Sequence, residues 1–95
     1  MKQRYRKQIH PASGPEKAFG QALREIREAR NLSQEEFAFD AGFDRTYISM
    51  VERAVCSPTI RTLVKLARVL KVRPSAIVAR MEGILATKQR KRPAG

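Results

Sequence analysis

The chain has 95 residues, of which 20 are lysine or arginine and 9 are aspartate or glutamate, so its formal net charge is +11. This length suits one compact domain, and the positive charge favours nucleic acid as the partner. A single cysteine and a single histidine exclude a disulfide framework and a structural zinc site, so we expect neither a metal nor a cofactor.

The N-terminus lacks the apolar segment of a signal peptide, and no stretch reaches the about 18 apolar residues of a membrane span. We therefore expect a cytoplasmic protein without a membrane partner. Residues 16–86 contain 12 basic and 9 acidic side chains. Residues 1–15 and 87–95 contain basic side chains but no acidic one. This composition predicts a flexible basic arm at 1–15, a folded domain at 16–86 and a basic tail at 87–95.

Apolar residues recur at steps of three and four along most of the domain, and no strand pattern occurs, so we predict an all-α fold. Ser33 followed three residues later by Glu36 forms a capping box that starts the second helix. Gly42 can take the positive φ that ends it, and Asp44 is a good N-cap for the third. The five predicted helices start at Glu16, Gln34, Arg45, Ile60 and Pro74.

The second and third helices have the spacing of a helix-turn-helix. Ala38 is small enough for two helices to approach closely, Gly42 allows the turn, and Ile48 and Val51 pack the third helix on the core. In this motif the second helix enters the major groove of DNA, with its N-terminal residues at the base edges.

The predicted third helix, residues 45–53, exposes a polar face towards DNA. Arg45 can bind guanine O6 and N7, Thr46 can contact a base or a phosphate, and Ser49 follows one turn later. Met50 is a further candidate for base contact, against the alternative of an ordinary exposed methionine. Tyr47 is expected to contact the sugar-phosphate backbone or to support Arg45, and Arg53 either contacts a phosphate or is merely solvated.

The fifth helix carries more apolar residues than the end of a small domain needs for its own core. One helix-turn-helix also buries too little area for tight specific binding. We therefore expect a homodimer on an inverted-repeat operator, with the two recognition helices about one turn of duplex apart. The residues predicted to form the dimer interface are Ile77, Val78, Met81, Ile84 and Leu85.

Residues 19–78, from "FGQALREIREARNLSQEEFAFDAGFDRTYIS" to "PTIRTLVKLARVLKVRPSAIV", resemble the Cro/repressor-type (XRE-like) helix-turn-helix regulators, including lambdoid phage repressors. The segments "DRTYIS" and "VER" are most similar to the controller proteins of restriction-modification systems, small dimeric regulators of palindromic operators. The resemblance implies a five-helix, lambda-repressor-like domain. It implies that Gln34 contacts a phosphate and braces the recognition helix, and that Arg27 and Glu52 form a structural pair.

The segment "RAVCSPT" departs from this family, whose members usually have glycine after the third helix and basic or amide residues in the loop. Here Ala54, Val55 and Cys56 occupy these positions, so loop contacts to an operator are not carried over. Cys56 is either a redox sensor, if nearby arginines favour its thiolate, or a small apolar residue that fills the loop.

The sequence thus predicts a sequence-specific DNA-binding transcriptional regulator and not an enzyme. Glu35 and Glu36 are neighbours on one helix and do not face each other, and Glu36 is explained by capping, so an acid-base pair is rejected. Two alternatives use the same fold. An antitoxin would bind a toxin protein through an apolar surface, and a protein-interaction adaptor would bind DNA without sequence preference.

Overall fold

The computed structural model describes the backbone of residues 14–91 and the side chains of residues 14–87. This part of the chain contains no strand, and the predicted all-α class with five helices is confirmed. The predicted arm lies almost wholly outside it. None of the described helices is long and apolar enough to cross a membrane. The helices are α1 (Pro15–Ala29), α2 (Gln34–Ala41), α3 (Arg45–Glu52), α4 (Ile60–Leu70) and α5 (Pro74–Lys91).

The predicted capping box at the start of α2 is present. The Ser33 hydroxyl accepts from the Glu36 backbone N–H at 3.0 Å, and the Glu36 carboxylate accepts from the Ser33 N–H at 2.9 Å. The other end of α2 is Gly42, with φ at +79°. A Cβ there would meet nothing within 4 Å, so backbone conformation and not space favours glycine. These two ends fix the length of α2 and the direction in which the chain enters α3.

Helix α3 starts where predicted, but its cap differs from the expectation. Asp44 occupies the N-cap position, and its backbone carbonyl accepts from the Tyr47 N–H at 3.0 Å. Its carboxylate makes no capping hydrogen bond. The negative charge still lies beside the positive end of the helix dipole. Beyond α3, Ala54 takes φ +65°, a left-handed conformation at the position where the resembling family usually has glycine.

Helix α5 packs along α1, and this contact corrects the predicted dimer surface. Ile77 is fully buried and Ile84 is 4% exposed, both within the core of the single chain. These two residues therefore cannot offer surface to a second copy. Val78, Met81 and Leu85 are half-buried at the edge of the same core. The apolar excess of α5 is thus used mainly within the domain. The backbone of α5 continues to Lys91, into the predicted basic tail.

A buried ion pair joins α1 to the end of α3. Arg27 Nε donates to Glu52 Oε2 at 2.7 Å and Arg27 Nη2 donates to Oε1 at 3.1 Å, so the contact is bidentate. Arg27 Nη1 also donates to the Leu32 carbonyl at 2.6 Å. The Glu52 side chain is only 3% exposed. The structure thus brings together the two residues that the family resemblance pairs, and it adds a bond to the α1–α2 loop.

Gly20 lies where α1 and α3 approach most closely. A Cβ at this position would be 2.5 Å from the Glu52 carbonyl oxygen and 2.7 Å from the Val51 carbonyl oxygen. Real Cβ atoms do not occur so near a backbone oxygen, and a helix backbone cannot yield as a flexible side chain does. The absence of a side chain at Gly20 therefore sets the height at which α3 lies on α1.

We expect Gly20→Ala to destabilise the domain by about 1–3 kcal/mol, because the new methyl group must push the end of α3 away from α1. Gly83→Ala is the matched control. Its Cβ would meet only an Arg80 guanidinium nitrogen at 3.8 Å, so the alanine should stabilise α5 by about 0.5–1 kcal/mol. Urea unfolding followed by circular dichroism measures both. Equal stability of the two variants would contradict the close approach.

We expect Glu52→Gln to lower the free energy of unfolding by about 3 kcal/mol, because it removes the only buried counterion of Arg27 among the described residues. Glu28→Gln serves as the control. Glu28 lies 4.0 Å from the same arginine but is exposed, so its loss should cost less than about 1 kcal/mol. Denaturant titration of both variants at neutral pH gives the comparison. A loss for Glu52→Gln no larger than the control would show that this pair does not hold α3.

Candidate nucleic-acid interface

Helix α3 separates a buried side from a polar side. Ile48 and Val51 are buried in the core and anchor the helix. On the other side Arg45 and Thr46 are exposed, while Ser49 and Met50 are partly exposed. The structure therefore brings the four predicted base-contacting residues onto one accessible face of α3. Their contact with bases stays a prediction.

Arg45 is the first residue of α3. Within residues 14–87 its guanidinium has no hydrogen bond and no carboxylate within 4.0 Å. A positive charge is disfavoured at a helix N-terminus. Its exposed, uncompensated position therefore adds nothing to helix stability and leaves all its donors available to a ligand. Among the groups in the major groove, the acceptor pair O6 and N7 of guanine fits the two parallel N–H donors of a guanidinium best.

At the other end of this face, Arg53 and Ser49 contact each other. Arg53 Nε donates to the Ser49 hydroxyl oxygen at 3.1 Å. The hydroxyl hydrogen of Ser49 stays free to donate to a base or a phosphate. Arg53 is exposed and its remaining N–H groups are free within the described chain, which suits the predicted phosphate contact. The pair thus holds a cation at the end of the polar face.

Gln34 connects the start of α2 with the end of α3. Its Nε2 donates to Glu52 Oε1 at 2.9 Å, so the carboxylate that holds Arg27 also holds Gln34. The brace that the family resemblance implies is therefore visible as a hydrogen bond. Gln34 keeps one amide N–H, and it lies at a helix N-terminus, where unpaired backbone N–H groups favour an anion. Its phosphate contact remains a prediction.

Tyr47 is half-buried and lies beside Thr62 of α4. Its ring centroid lies 4.9 Å from that of Phe43, and the two ring planes are inclined by 35°. Burial raises the pKa of the Tyr47 phenol, and the nearby Thr62 side chain partly opposes this shift. In the protein without DNA, Tyr47 therefore braces α3 against α4. Contact of Tyr47 with the sugar-phosphate backbone and its support of Arg45 both stay predictions.

Two features near this interface escaped sequence reasoning. Lys65 of α4 places its Nζ 4.9 Å from the centre of the Phe43 ring, an attractive cation–π contact. Phe39 of α2 is 83% exposed, although the helix periodicity gives no reason for an aromatic residue there. The spacing of basic side chains along α4 could have indicated the contact of Lys65. Position on the helical wheel, outside the stripe of Phe37 and Ala41, could have indicated the second.

Cys56 lies in the loop after α3 and lines an apolar groove of about 210 Å³ between the start of α1 and the start of α4. Burial raises the pKa of its thiol, so the thiolate is disfavoured at neutral pH. The argument for a redox sensor required the opposite shift. Among the residues that the structure describes, no group of three or more histidine, cysteine, aspartate or glutamate side chains could hold a metal ion.

Known proteins are similar to this chain over the same helices. A family model described as helix-turn-helix matches residues 23–77, from the middle of α1 into α5. The control protein C.BamHI of Bacillus amyloliquefaciens is 38% identical over 61 residues, which cover 63% of this chain and 75% of that protein. The family match contains the whole polar face of α3 and the Arg27–Glu52 pair.

Solved structures agree. The restriction-modification controller protein C.AhdI from Aeromonas hydrophila is 43% identical, with a TM-score of 0.63 over 64% of this chain and 92% of that one. The clp gene regulator ClgR from Corynebacterium glutamicum has a TM-score of 0.80 over 83% of this chain and 84% of that one, but at 20% identity it shows the fold alone. The resemblance to controller proteins is thus confirmed, and the chain belongs to the XRE-type helix-turn-helix family of DNA-binding transcription regulators.

Proposed function

We propose that the protein regulates transcription by binding a specific DNA sequence through α3, which lies in the major groove. The observation that carries this proposal is the polar face of α3, where Arg45 has no partner among residues 14–87 while Ile48 and Val51 anchor the opposite side. A rigid helix lets its side chains reach base edges at little conformational cost. We expect the protein to need no cofactor for this activity.

Each residue on the face has a chemical role. Arg45 donates two parallel hydrogen bonds to guanine O6 and N7. Thr46 offers a methyl group to thymine or a hydroxyl to a phosphate, and Met50 offers a second apolar contact to a thymine methyl. Ser49 donates its free hydroxyl hydrogen to a base, while Arg53, held by Ser49, reaches a phosphate. Sequence preference therefore depends on the first two turns of α3.

Phosphate contacts fix the register of the helix on the duplex. Gln34 supplies one through its remaining amide N–H, together with the unpaired backbone N–H groups at the start of α2. Because Gln34 also bonds to Glu52, a phosphate bound there is connected to the end of α3 through one carboxylate. The backbone contact and the position of the reading helix are thereby coupled.

Homodimerisation on an inverted repeat requires a surface other than the buried part of α5. Ile60 is 77% exposed at the first turn of α4, and Val64 is exposed one turn later. Val78 and Met81 lie half-buried across the groove beside Ile60. We assign the dimer contact to this apolar edge. A two-fold pairing through it would double the DNA contact area, which a single domain of this size needs for tight binding.

The relatives named as control and controller proteins suggest the biological context. We propose that this protein also acts in the cytoplasm on the promoter of its own operon, with its concentration as the signal. The second candidate is an antitoxin of the same fold. The exposed ring of Phe39 favours it, because a bound partner protein would cover this apolar surface. Co-purification of a stoichiometric partner would identify that case.

Selection of bound duplexes from a random pool, followed by gel shift on the selected and a scrambled duplex, tests the reading helix. We expect Arg45→Ala to weaken binding of the selected duplex by about 1–3 kcal/mol and to relax preference at one base pair in each half-site. Arg24→Ala, on the exposed face of α1, is the charge-matched control and should change the preference at no position.

Gln34→Ala separates anchoring from reading. It should weaken binding of the selected and the scrambled duplex by the same factor, since phosphates carry no sequence information. The same gel shifts measure it, with circular dichroism to verify folding because Glu52 loses a donor. If Arg45→Ala and Gln34→Ala both reduced the two affinities equally, α3 would not be the reading helix.

The dimer surface is tested by changing one exposed apolar residue to a charged one. We expect Ile60→Asp to convert the protein from dimer to monomer in sedimentation equilibrium at micromolar concentration, because pairing would bury the new charge. Phe39→Asp makes the same change at an equally exposed residue on α2 and should leave the dimer intact. A monomeric wild-type protein, alone and with the selected duplex, would exclude the homodimer.

A further inference from the structure

The exposed side of α4 has two chemically different edges. At 100° per residue, Ile60 and Val64 lie along one edge, Arg61 and Lys65 along the other, and Arg68 between them. The apolar edge borders the groove that Val78 and Met81 line. The basic edge borders Thr62, which lies beside Tyr47 of α3. The two edges of this helix therefore face different neighbours.

The basic edge is attached to the first turn of the recognition helix. Lys65 Nζ lies over the Phe43 ring, and Phe43 packs on Tyr47, with both distances 4.9 Å. Phe43 precedes Asp44 and Arg45, so this stack places a cation next to the end of α3 that carries the main base-contacting residue. The aromatic contact also restricts the rotamers of Lys65, which lowers the entropy lost when its ammonium binds an anion.

The cations of α4 have no counterions in the described chain. Within residues 14–87, none of Arg61, Lys65 and Arg68 has a carboxylate within 4.0 Å. The chain between residues 53 and 81 contains seven basic residues and no acidic one. Like charges at spacings of three and four repel one another, and Arg61 lies at a helix start, where a cation is disfavoured. These residues therefore do not stabilise the fold by pairing.

We propose that Arg61, Lys65 and Arg68 form a second DNA contact, to the sugar-phosphate backbone beside the major groove that α3 enters. The inference rests on the proposed function for the position of the duplex. The stripe extends over about eight residues, or roughly 10 Å of helix. One strand presents a phosphate per about 3.4 Å of duplex axis, so a helix of this length can reach successive phosphates. The apolar edge lies beside this stripe and borders the groove that Val78 and Met81 line, where it stays available to a second copy.

Salt dependence of binding to a random-sequence duplex tests the contact. The triple variant Arg61→Gln, Lys65→Gln and Arg68→Gln is compared with Lys17→Gln, Arg24→Gln and Arg30→Gln, which removes the same charge from exposed positions on α1 and at its C-cap. Each lost phosphate contact lowers the slope of log affinity against log salt by about 0.9. We expect the α4 variant to lose about 2.7 of slope, so that its affinity falls about 40-fold less than that of wild type between 50 and 200 mM salt.

The control variant should lose less than one unit of slope, because its charges are distant from the duplex and affect only long-range attraction. Equal slopes for the two variants would overturn the inference. Circular dichroism verifies folding, and the exposed positions of all six side chains make both variants tolerable.

The selected duplex separates this inference from the proposed function. The α4 variant should keep the same base preference as wild type at reduced affinity, whereas Arg45→Ala should lose preference. A wild-type protein without any preference would overturn the proposed reading of bases, while a slope difference between the two triple variants would still support the backbone contact. Phosphate ethylation interference, compared between wild type and Lys65→Gln, then locates the contact of α4 with the backbone. In the variant the interference should disappear at phosphates flanking each half-site, and a pattern unchanged from wild type would refute the contact.

Discussion

The carboxylate of Glu52 is the contact on which the arrangement of the first three helices depends. It accepts from Arg27 of α1 and from Gln34 of α2, while its own backbone belongs to the last turn of α3. A buried carboxylate must be paired and hydrogen-bonded, so the three helices have to meet at this point. The close approach at Gly20, on the other side of the same turn, fixes the distance. The recognition helix is therefore positioned from its C-terminal end.

The N-terminal end of α3 is held differently. Phe43, Tyr47 and Lys65 form a stack in which the contacts are apolar and cation–π, at the edge of the core and not in it. Such contacts adjust more easily than a buried bidentate ion pair. The end of α3 that carries Arg45 and Thr46 is consequently the more adaptable one.

Much of this domain follows from local sequence, because caps and helical periodicity act within a few residues. The Ser33–Glu36 box, the turn at Gly42 and the two sides of α3 needed no knowledge of the tertiary structure. Burial of Ile77 and Ile84 could not be predicted in this way, since periodicity shows that a face is apolar but not which element covers it. The stack of Lys65 on Phe43 and the position of Tyr47 beside Thr62 likewise depend on where α4 lies against α3.

The separation between the two sides of α3 has an evolutionary consequence. Ile48 and Val51 carry its packing, whereas Arg45, Thr46 and Ser49 contribute little to the core. Substitutions on the polar side should therefore be nearly neutral for folding, so that paralogues can diverge towards new binding sites without first acquiring compensating mutations. A new binding preference could then arise by changing a few exposed side chains on an unchanged framework.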